Sequence, residues 1–469
     1  MKQINRILLT ACMATVAYGA SAQALRSAYF SDSYIFRHHL NPALANEDGY
    51  FTMPGLGNTG IDMGMNFGIG DFIKPGPNGN LVTSLHPSIT DSEFLDGLED
   101  KLQLQQQIDL TVFGFGWNAL GGYNTFDASI HEITHFQMPK GLFAFMKQMN
   151  PDTDYDFSDL HLQGRAWAEV ALGHSHPIGE NWRVGAKLKL LVGLGYAKAD
   201  IEDTHARFGE DKWQMQLKGN MVMGLNGTGF KSNEYGRVDG IGSYKKGPAG
   251  YGYGIDLGVT YDMQEIVDGL KVSTSILDLG SITWYDCAFA ANEGEVFTFD
   301  GFNNLGMHNE AGHQEGSHTG SLNNQWDDIN KDLNEMLNLK IGRHEDVKET
   351  LASTLTIGAE YELPMYKKVS FGILYTQRFS DVYDFSEVRA VANYAPSRVF
   401  DMSVTGAANT WGTSLGGVLN VHVPGLNLFV GTDYLYIGTK NKNMIPLEKS
   451  GMNIQFGINI PFGRPAEED

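Results

Sequence analysis

Cysteine, long apolar runs and an excess of basic residues are what this sequence lacks. Two cysteines in 469 residues exclude a disulfide framework, a cysteine-ligated iron–sulfur cluster and a CxxC zinc site. Beyond the N-terminal segment, no apolar run reaches the roughly 18 residues of a spanning helix. Only 34 Lys and Arg stand against 55 Asp and Glu, a formal charge of −21. That balance excludes a protein that binds nucleic acid along a basic face. Charged residues, at 19%, are too many for a helical transporter. What the chain has instead is glycine, 56 residues, and aromatics at 11%, with 20 Tyr and 26 Phe. Such a composition goes with many strands and tight turns.

The first residues read as a targeting segment. Lys2 and Arg6 flank the start of an apolar stretch over 7–17, and Ala20-Ser21-Ala22 supplies small residues for cleavage. This is the pattern of a secretory signal peptide, with the cut expected after Ala22 and Cys287 left as the single cysteine. Leu9-Thr10-Ala11-Cys12 resembles a lipoprotein box, but the apolar stretch before Cys12 is very short. An exported chain without a helical anchor is a soluble protein, a lipoprotein or an outer-membrane barrel.

Strand patterns separate these classes. Tyr251, Tyr253, Ile255, Leu257, Val259, Tyr261 and Met263 alternate with Gly252, Gly254, Asp256, Gly258, Thr260 and Asp262. The alternation is unbroken and carries Tyr near both ends, as expected of a transmembrane strand of roughly 9–11 residues or more with aromatics at the interfaces. Strands of soluble sandwiches are usually about 5–6 residues long. The pattern recurs at 184–196, 355–363 and 452–462. Inward Lys and Glu suit a wet lumen, whereas an oily sandwich core would reject them. Gln455, Gly457, Ile460 and Phe462 match the polar-x-Gly-x-x-apolar-x-aromatic signal that ends bacterial outer-membrane barrels. They imply the barrel assembly machinery as a partner. The tail 463–469 is a departure from that pattern.

Fifteen candidate strands result, but a barrel with both termini on one side needs an even number. Short turns at 177–182, 264–269, 364–368 and 423–425 set the parity, which breaks between 197 and 251. Removing 211–224 as a spanning strand makes 198–250 an extracellular excursion. The expectation is therefore all-β: a transmembrane antiparallel up-and-down barrel of about 14 strands, with an N-terminal lumen plug and short extracellular helices. The divisions are a plug or hatch over 23–60 and a barrel over 61–462. Within the barrel, 286–349 is a long acidic extracellular loop with 13 acidic and 4 basic residues. A capping box at Thr90–Glu93 opens one helix. Outer-membrane lipid and acidic lipopolysaccharide, bridged by divalent cations, are the surroundings such loops would meet.

Asn41-Pro42-Ala43, before the first strand, resembles the long-chain fatty-acid transporter (FadL-like) superfamily and the barrels associated with type IX secretion. With Arg26-Ser-Ala-Tyr29-Phe30, Arg37-His38-His39-Leu40, residues 51–57, 254–258 and 277–280, the chain is similar to an uncharacterised Bacteroidetes-type outer-membrane barrel family. The resemblance implies a fourteen-strand barrel in which 23–60 folds into the lumen. In that arrangement Arg26, Arg37, His38 and His39 would pair with inward Asp256 or Glu360. In fatty-acid transporters a strand kink opens a lateral exit. Here Asp278 falls in the lipid-facing phase of its strand, so a bulge is expected to turn it inward.

His131-Glu132-Ile133-Thr134-His135 spells HExxH, but zincin chemistry needs a helix to bring both imidazoles to one metal. The run that precedes it is β-patterned and Pro139 follows, so these residues are expected where a strand meets the extracellular rim. His308, His313 and His318 recur at five-residue spacing in the acidic loop, a pattern flexible polar loops often show without binding metal. No cofactor motif, serine elbow or phosphate loop appears. Arg165, Glu169, Lys187 and Lys189 are expected to form a charged band inside the lumen.

Two functions follow. The first is passive uptake of a small hydrophobic ligand, captured by apolar loop residues Phe94, Leu98, Leu142, Phe143 and Phe145 and released by hatch movement. The alternative is a non-transporting partner that docks a secreted or surface protein at the outer membrane. No enzymatic activity and no nucleic-acid partner are expected.

Overall fold

The computed structural model describes residues 25–46, 48–77, 80–148, 150, 153–208, 213–233, 237–299, 339–380, 384–435 and 451–463. The signal segment, most of the tail and the three histidines at 308, 313 and 318 lie outside these residues.

Fourteen antiparallel strand paths close into a barrel. The first, β1, is interrupted, running as Gly49–Thr52 and then Asn58–Met65. It is followed by β2 (Lys101–Ala119), β3 (Gly122–Pro139), β4 (Leu160–Ile178) and β5 (Trp182–Phe208). The sixth path, β6, descends in two pieces, Trp213–Gly224 and Gly250–Asp262, and β7 ascends as Leu270–Phe299. The eighth, β8, is also split, into Lys340–Thr350 and Thr354–Glu362. Then come β9 (Val369–Arg378), β10 (Phe385–Ser397), β11 (Phe400–Asn409), β12 (Gly412–Val423), β13 (Leu426–Leu435) and β14 (Gly451–Phe462). Closure comes from β1, which pairs with β14 on one side and β2 on the other, with Gly49 opposite Phe462 and Ile61 opposite both Ile454 and Ile108.

The split strands explain the odd count in the sequence. Trp213–Gly224 and Gly250–Asp262 run in the same direction between β5 and β7, the first pairing with their distal halves and the second with their proximal halves. They make one wall path, so 198–250 is partly strand. The first strand begins at Gly49, earlier than position 61, because 49–52 pairs with the last strand. The segment expected as a loop over 286–349 is strand at both ends, since β7 reaches Phe299 and β8 starts at Lys340.

Period-two patterning decides the two faces of the wall. Leu188, Leu190, Tyr253, Ile357, Phe371, Ile373, Val404 and Val430 are exposed on the outside, while Lys187, Asp256, Arg389, Asp433 and Gln455 are buried inside. An apolar exterior around a polar interior is the arrangement of an outer-membrane barrel, because the acyl chains cover what water would not. One end has short turns, such as 120–121, 398–399 and 424–425; the other carries the long connections 66–100 and 140–159.

At that long-loop end, Thr90 caps Asp91–Leu95 by accepting from the Glu93 amide at 3.2 Å. The expected ligand-capture residues are not an open apolar face. Phe94, Leu98 and Phe143 pack with Ile89, Leu95 and Leu102 into a small core. Leu142 and Phe145, on the helix Lys140–Gln148, pack against Tyr155, Phe157 and Ala206. Burying such side chains stabilises about 1.5–3 kcal/mol each, which is how helices too short to stand alone hold together.

Candidate functional site: a charged chamber above the hatch

Residues 25–46 fold into the lumen as two 3-10 turns, Arg26–Ala28 and Arg37–His39, joined by irregular chain. Leu25, Tyr29, Tyr34, Phe36 and Asn41 are fully buried there. The wall makes room for this hatch with glycine. A side chain on Gly185 would collide with Pro42, one on Gly258 with Asn41, one on Gly372 with the Phe30 ring and one on Gly431 with Leu25. Asn41 accepts from the Ala43 amide at 2.9 Å and donates to the Tyr29 hydroxyl at 3.0 Å and the Thr274 carbonyl at 3.3 Å. The Asn41-Pro42-Ala43 turn is thereby clamped between β5, β6 and β7.

Buried polar and charged contacts fix the hatch at two further places. Arg26 lies 3.4 Å from both Glu387 and Asp433, and its guanidinium sits against the Phe385 and Tyr434 rings. Asp433 also accepts from the amides of Arg26 at 3.0 Å and Ser27 at 2.7 Å, and Arg389 chelates Glu387 at 2.9 and 3.0 Å. On the opposite side His38 and His39 approach Asp127 at 3.0 and 3.3 Å, with Lys187 at 3.5 Å. Burial, reinforced by Lys187, pushes His39 down to about 3. Arg37 pairs within the hatch, with Asp32 at 2.5 Å.

The pairing expected for these four residues is therefore corrected. Asp256 is taken by Lys189 at 2.9 Å, and Glu360 accepts from Ser370 at 2.8 Å. The actual partners, Glu387, Asp433 and Asp127, face the hatch because closure brings distant strands round it.

Between the hatch and the long-loop end lies a chamber of about 150 Å3. Arg165, Glu169, Lys187, Lys189 and Asp256, expected in the lumen, all line it, and Glu360 does not. Sequence reasoning missed Asp109, Trp167 and Arg378, and read His131 as a rim residue. On a strand, positions i and i+4 are about 13 Å apart, so His131 and His135 do not converge on one metal. His131 faces the chamber, 2.5 Å from Asp109 through Nδ1 and stacked on Trp167 with ring centroids 5.1 Å apart. The expected bulge is present: Asp278 has φ +60°, the β6–β7 register shifts there, and its carboxylate turns in to meet Lys189 at 2.6 Å. Opposite, β8 breaks at 351–353, and Leu351 and Ala352 also line the chamber.

The chamber is rich in unused donors. Arg378 donates to Gln107 at 2.9 Å and makes no ion pair among the described residues. Buried Arg165 Nε, Trp167 Nε1 and Thr376 Oγ1 have no hydrogen-bond partner among the described residues. On the long-loop side, inward Ile133, Leu191, Tyr196, Ile282 and Trp284 form an apolar cluster, with Tyr196 stacked on Trp284 at 5.4 Å. A polar chamber thus lies between an apolar lid and the hatch.

A family model matches residues 42–433. The chain belongs to the family of unknown function DUF5723. No curated protein sequence matches it. Among solved structures, this DUF5723 barrel is similar to the Ralstonia pickettii toluene transporter TbuX, with 11% identity, a TM-score of 0.39 and 95% of each chain covered. It is also similar to the Pseudomonas putida toluene transporter TodX, at 9% identity and a TM-score of 0.40 over 95% of this chain and 96% of that one. A Pseudomonas aeruginosa FadL homologue is similar at 10% identity and a TM-score of 0.39, over 94% and 96% of the two chains. The fourteen-strand closure of the DUF5723 barrel stands on its own register. Its last strand places Gln455 inside and Ile460 and Phe462 on the lipid face, with Gly457 packed under the Phe429 ring.

Proposed function

We propose that this barrel passes small amphiphiles across the outer membrane, each with an apolar body and an acceptor-rich, typically anionic, head. The observation that carries this reading is the set of buried donors without acceptors among the described residues, Arg165 Nε, Trp167 Nε1 and Thr376 Oγ1, beside an Arg378 that makes no close ion pair with any described carboxylate. A buried unsatisfied donor costs about 1–3 kcal/mol, and an acceptor-bearing ligand recovers that cost. A wholly hydrophobic cargo would leave these donors unpaired, so the hydrophobic reading is narrowed to amphiphiles. Trp167, Ile133, Leu277 and Leu351 supply the apolar side. A cavity near 150 Å3 has the capacity for a group about the size of one benzene ring.

The mechanism needs two displacements. The apolar lid of Tyr196 and Trp284 parts to admit the body, and the hatch moves to let the molecule leave at the short-turn end, which faces the periplasm in barrels of this kind. No energy source is required, since a gradient drives both steps.

Gentle extraction of the full-length protein followed by mass spectrometry of what co-purifies tests the reading. An amphiphilic carboxylate, sulfonate or phosphate ester at near one per chain supports it. A stoichiometric protein with an empty chamber would favour the docking alternative.

A further inference from the structure

We infer that His38, His39 and Asp127 form a binding site for one divalent transition-metal ion of the zinc class, which pins the hatch to the barrel wall. This goes beyond the proposed transport and does not depend on which molecule the chamber takes.

The argument starts from a mismatch of lone pairs. His38 Nδ1 lies 3.1 Å from the Ile35 carbonyl, which can only accept, so Nδ1 carries the proton. In the neutral ring Nε2 then offers a lone pair. That atom faces Asp127 Oδ2, another acceptor, at 3.0 Å. The Tyr50 hydroxyl, 3.2 Å from Nε2, can donate one proton to it but leaves the carboxylate contact unresolved. A second proton on Nε2, making an imidazolium–carboxylate pair, resolves it, and so does a metal ion held between the two atoms.

The donor set fits such an ion. Two imidazoles and one carboxylate are ligands that zinc takes readily, with a fourth position left for water. Ligand atoms at about 2.0–2.1 Å from a tetrahedral ion are about 3.3 Å from each other. The observed separations from Asp127 Oδ2 are 3.0 Å to His38 and 3.3 Å to His39, and all three ligand atoms lie within 4.8 Å of one another. Asp127 Oδ1 is buried without a hydrogen-bond partner among the described residues, so the carboxylate has capacity to spare. The bond from His38 Nδ1 to a backbone carbonyl is the outer-shell contact that commonly fixes the tautomer of a metal-ligating histidine. His39 also lines the chamber, which supplies the water. Lys187 Nζ, 3.5 Å from Asp127 Oδ2, is the competitor for the carboxylate.

Zinc ions alone are the probe. The full-length protein in detergent is loaded with Zn2+, dialysed and measured by elemental mass spectrometry and calorimetric titration. A background in which His308, His313 and His318 are Asn removes the loop histidines. We expect about one zinc retained per chain, and at least tenfold weaker binding after Asp127→Asn or His39→Asn. Lys187→Met is expected to tighten binding, because it removes the competing ammonium. If these four groups serve only as a salt-bridge latch, Lys187→Met leaves zinc binding absent. Failure to retain zinc, undiminished retention in Asp127→Asn, or weaker binding in Lys187→Met would each overturn the site. A heat-modifiability gel confirms that every variant is folded.

Discussion

Asn41 of the hatch fills the space that a side chain on Gly258 of the wall would need. Wall and plug are thus complementary at the level of single atoms, and the glycines facing the hatch are part of the seal. Gly258→Val is expected to overpack this contact at a cost of about 1–3 kcal/mol and to loosen the hatch. Single-channel recording should show raised basal conductance. Gly406→Ala is the control, since its new methyl would meet only Leu415, at 3.8 Å, and conductance should stay at the wild-type level.

Arg26 is the second fastening. Its removal leaves the buried Glu387 and Asp433 carboxylates with Arg389 as their one cationic partner among the described residues. Breaking a buried charge cluster on one side costs about 3–5 kcal/mol. Arg26→Ala should therefore release the first turn of the hatch. Protease protection of the N-terminal segment is expected to fall while the barrel keeps its heat-modifiable migration.

Asp278 holds the bulge that faces the chamber. A left-handed backbone at φ +60° suits Asp, Asn and Gly and penalises β-branched residues. Asp278→Asn should keep the bulge and lose the Lys189 pair; Asp278→Val should cost about 1–3 kcal/mol of backbone strain as well. Thermal unfolding monitored by β-sheet circular dichroism should order the three proteins as wild type, Asn, Val.

The donors lining the chamber give a binding prediction. Benzenesulfonate is a suitable probe because it stays ionised and its ring matches the cavity. A hydrogen bond to a charged group contributes about 1.5–3 kcal/mol, so Arg378→Gln should weaken its binding by about tenfold to a hundredfold. Trp167→Phe keeps the ring and removes one neutral donor, with a smaller expected loss of about twofold to tenfold.

The barrel was legible because a wall residue's environment is decided locally: thirteen alternating residues over 251–263 announce one lipid face and one lumen face, and parity of short turns then bounds the number of paths. The same logic placed Arg165, Lys187, Lys189 and Asp256 inside, and pointed to the bulge at Asp278. Partners were not legible. Arg26 meets Asp433 across more than four hundred residues of sequence, a contact created only by ring closure. Register between strands is likewise absent from any single strand's pattern, so the two-piece paths at 213–262 and 340–362 look like separate strands or loops. The apolar helices at 91–95 and 140–148 carry an amphipathic stripe whether they capture a ligand or cover one another; the structure shows them packed into small cores.

The most direct test of the transport account is uptake of labelled benzenesulfonate into proteoliposomes containing the full-length protein. The account predicts saturable uptake above protein-free vesicles, reduced at least tenfold at low substrate concentration by Arg378→Gln. Uptake no faster than in empty vesicles, or equal rates for wild type and Arg378→Gln, would contradict it.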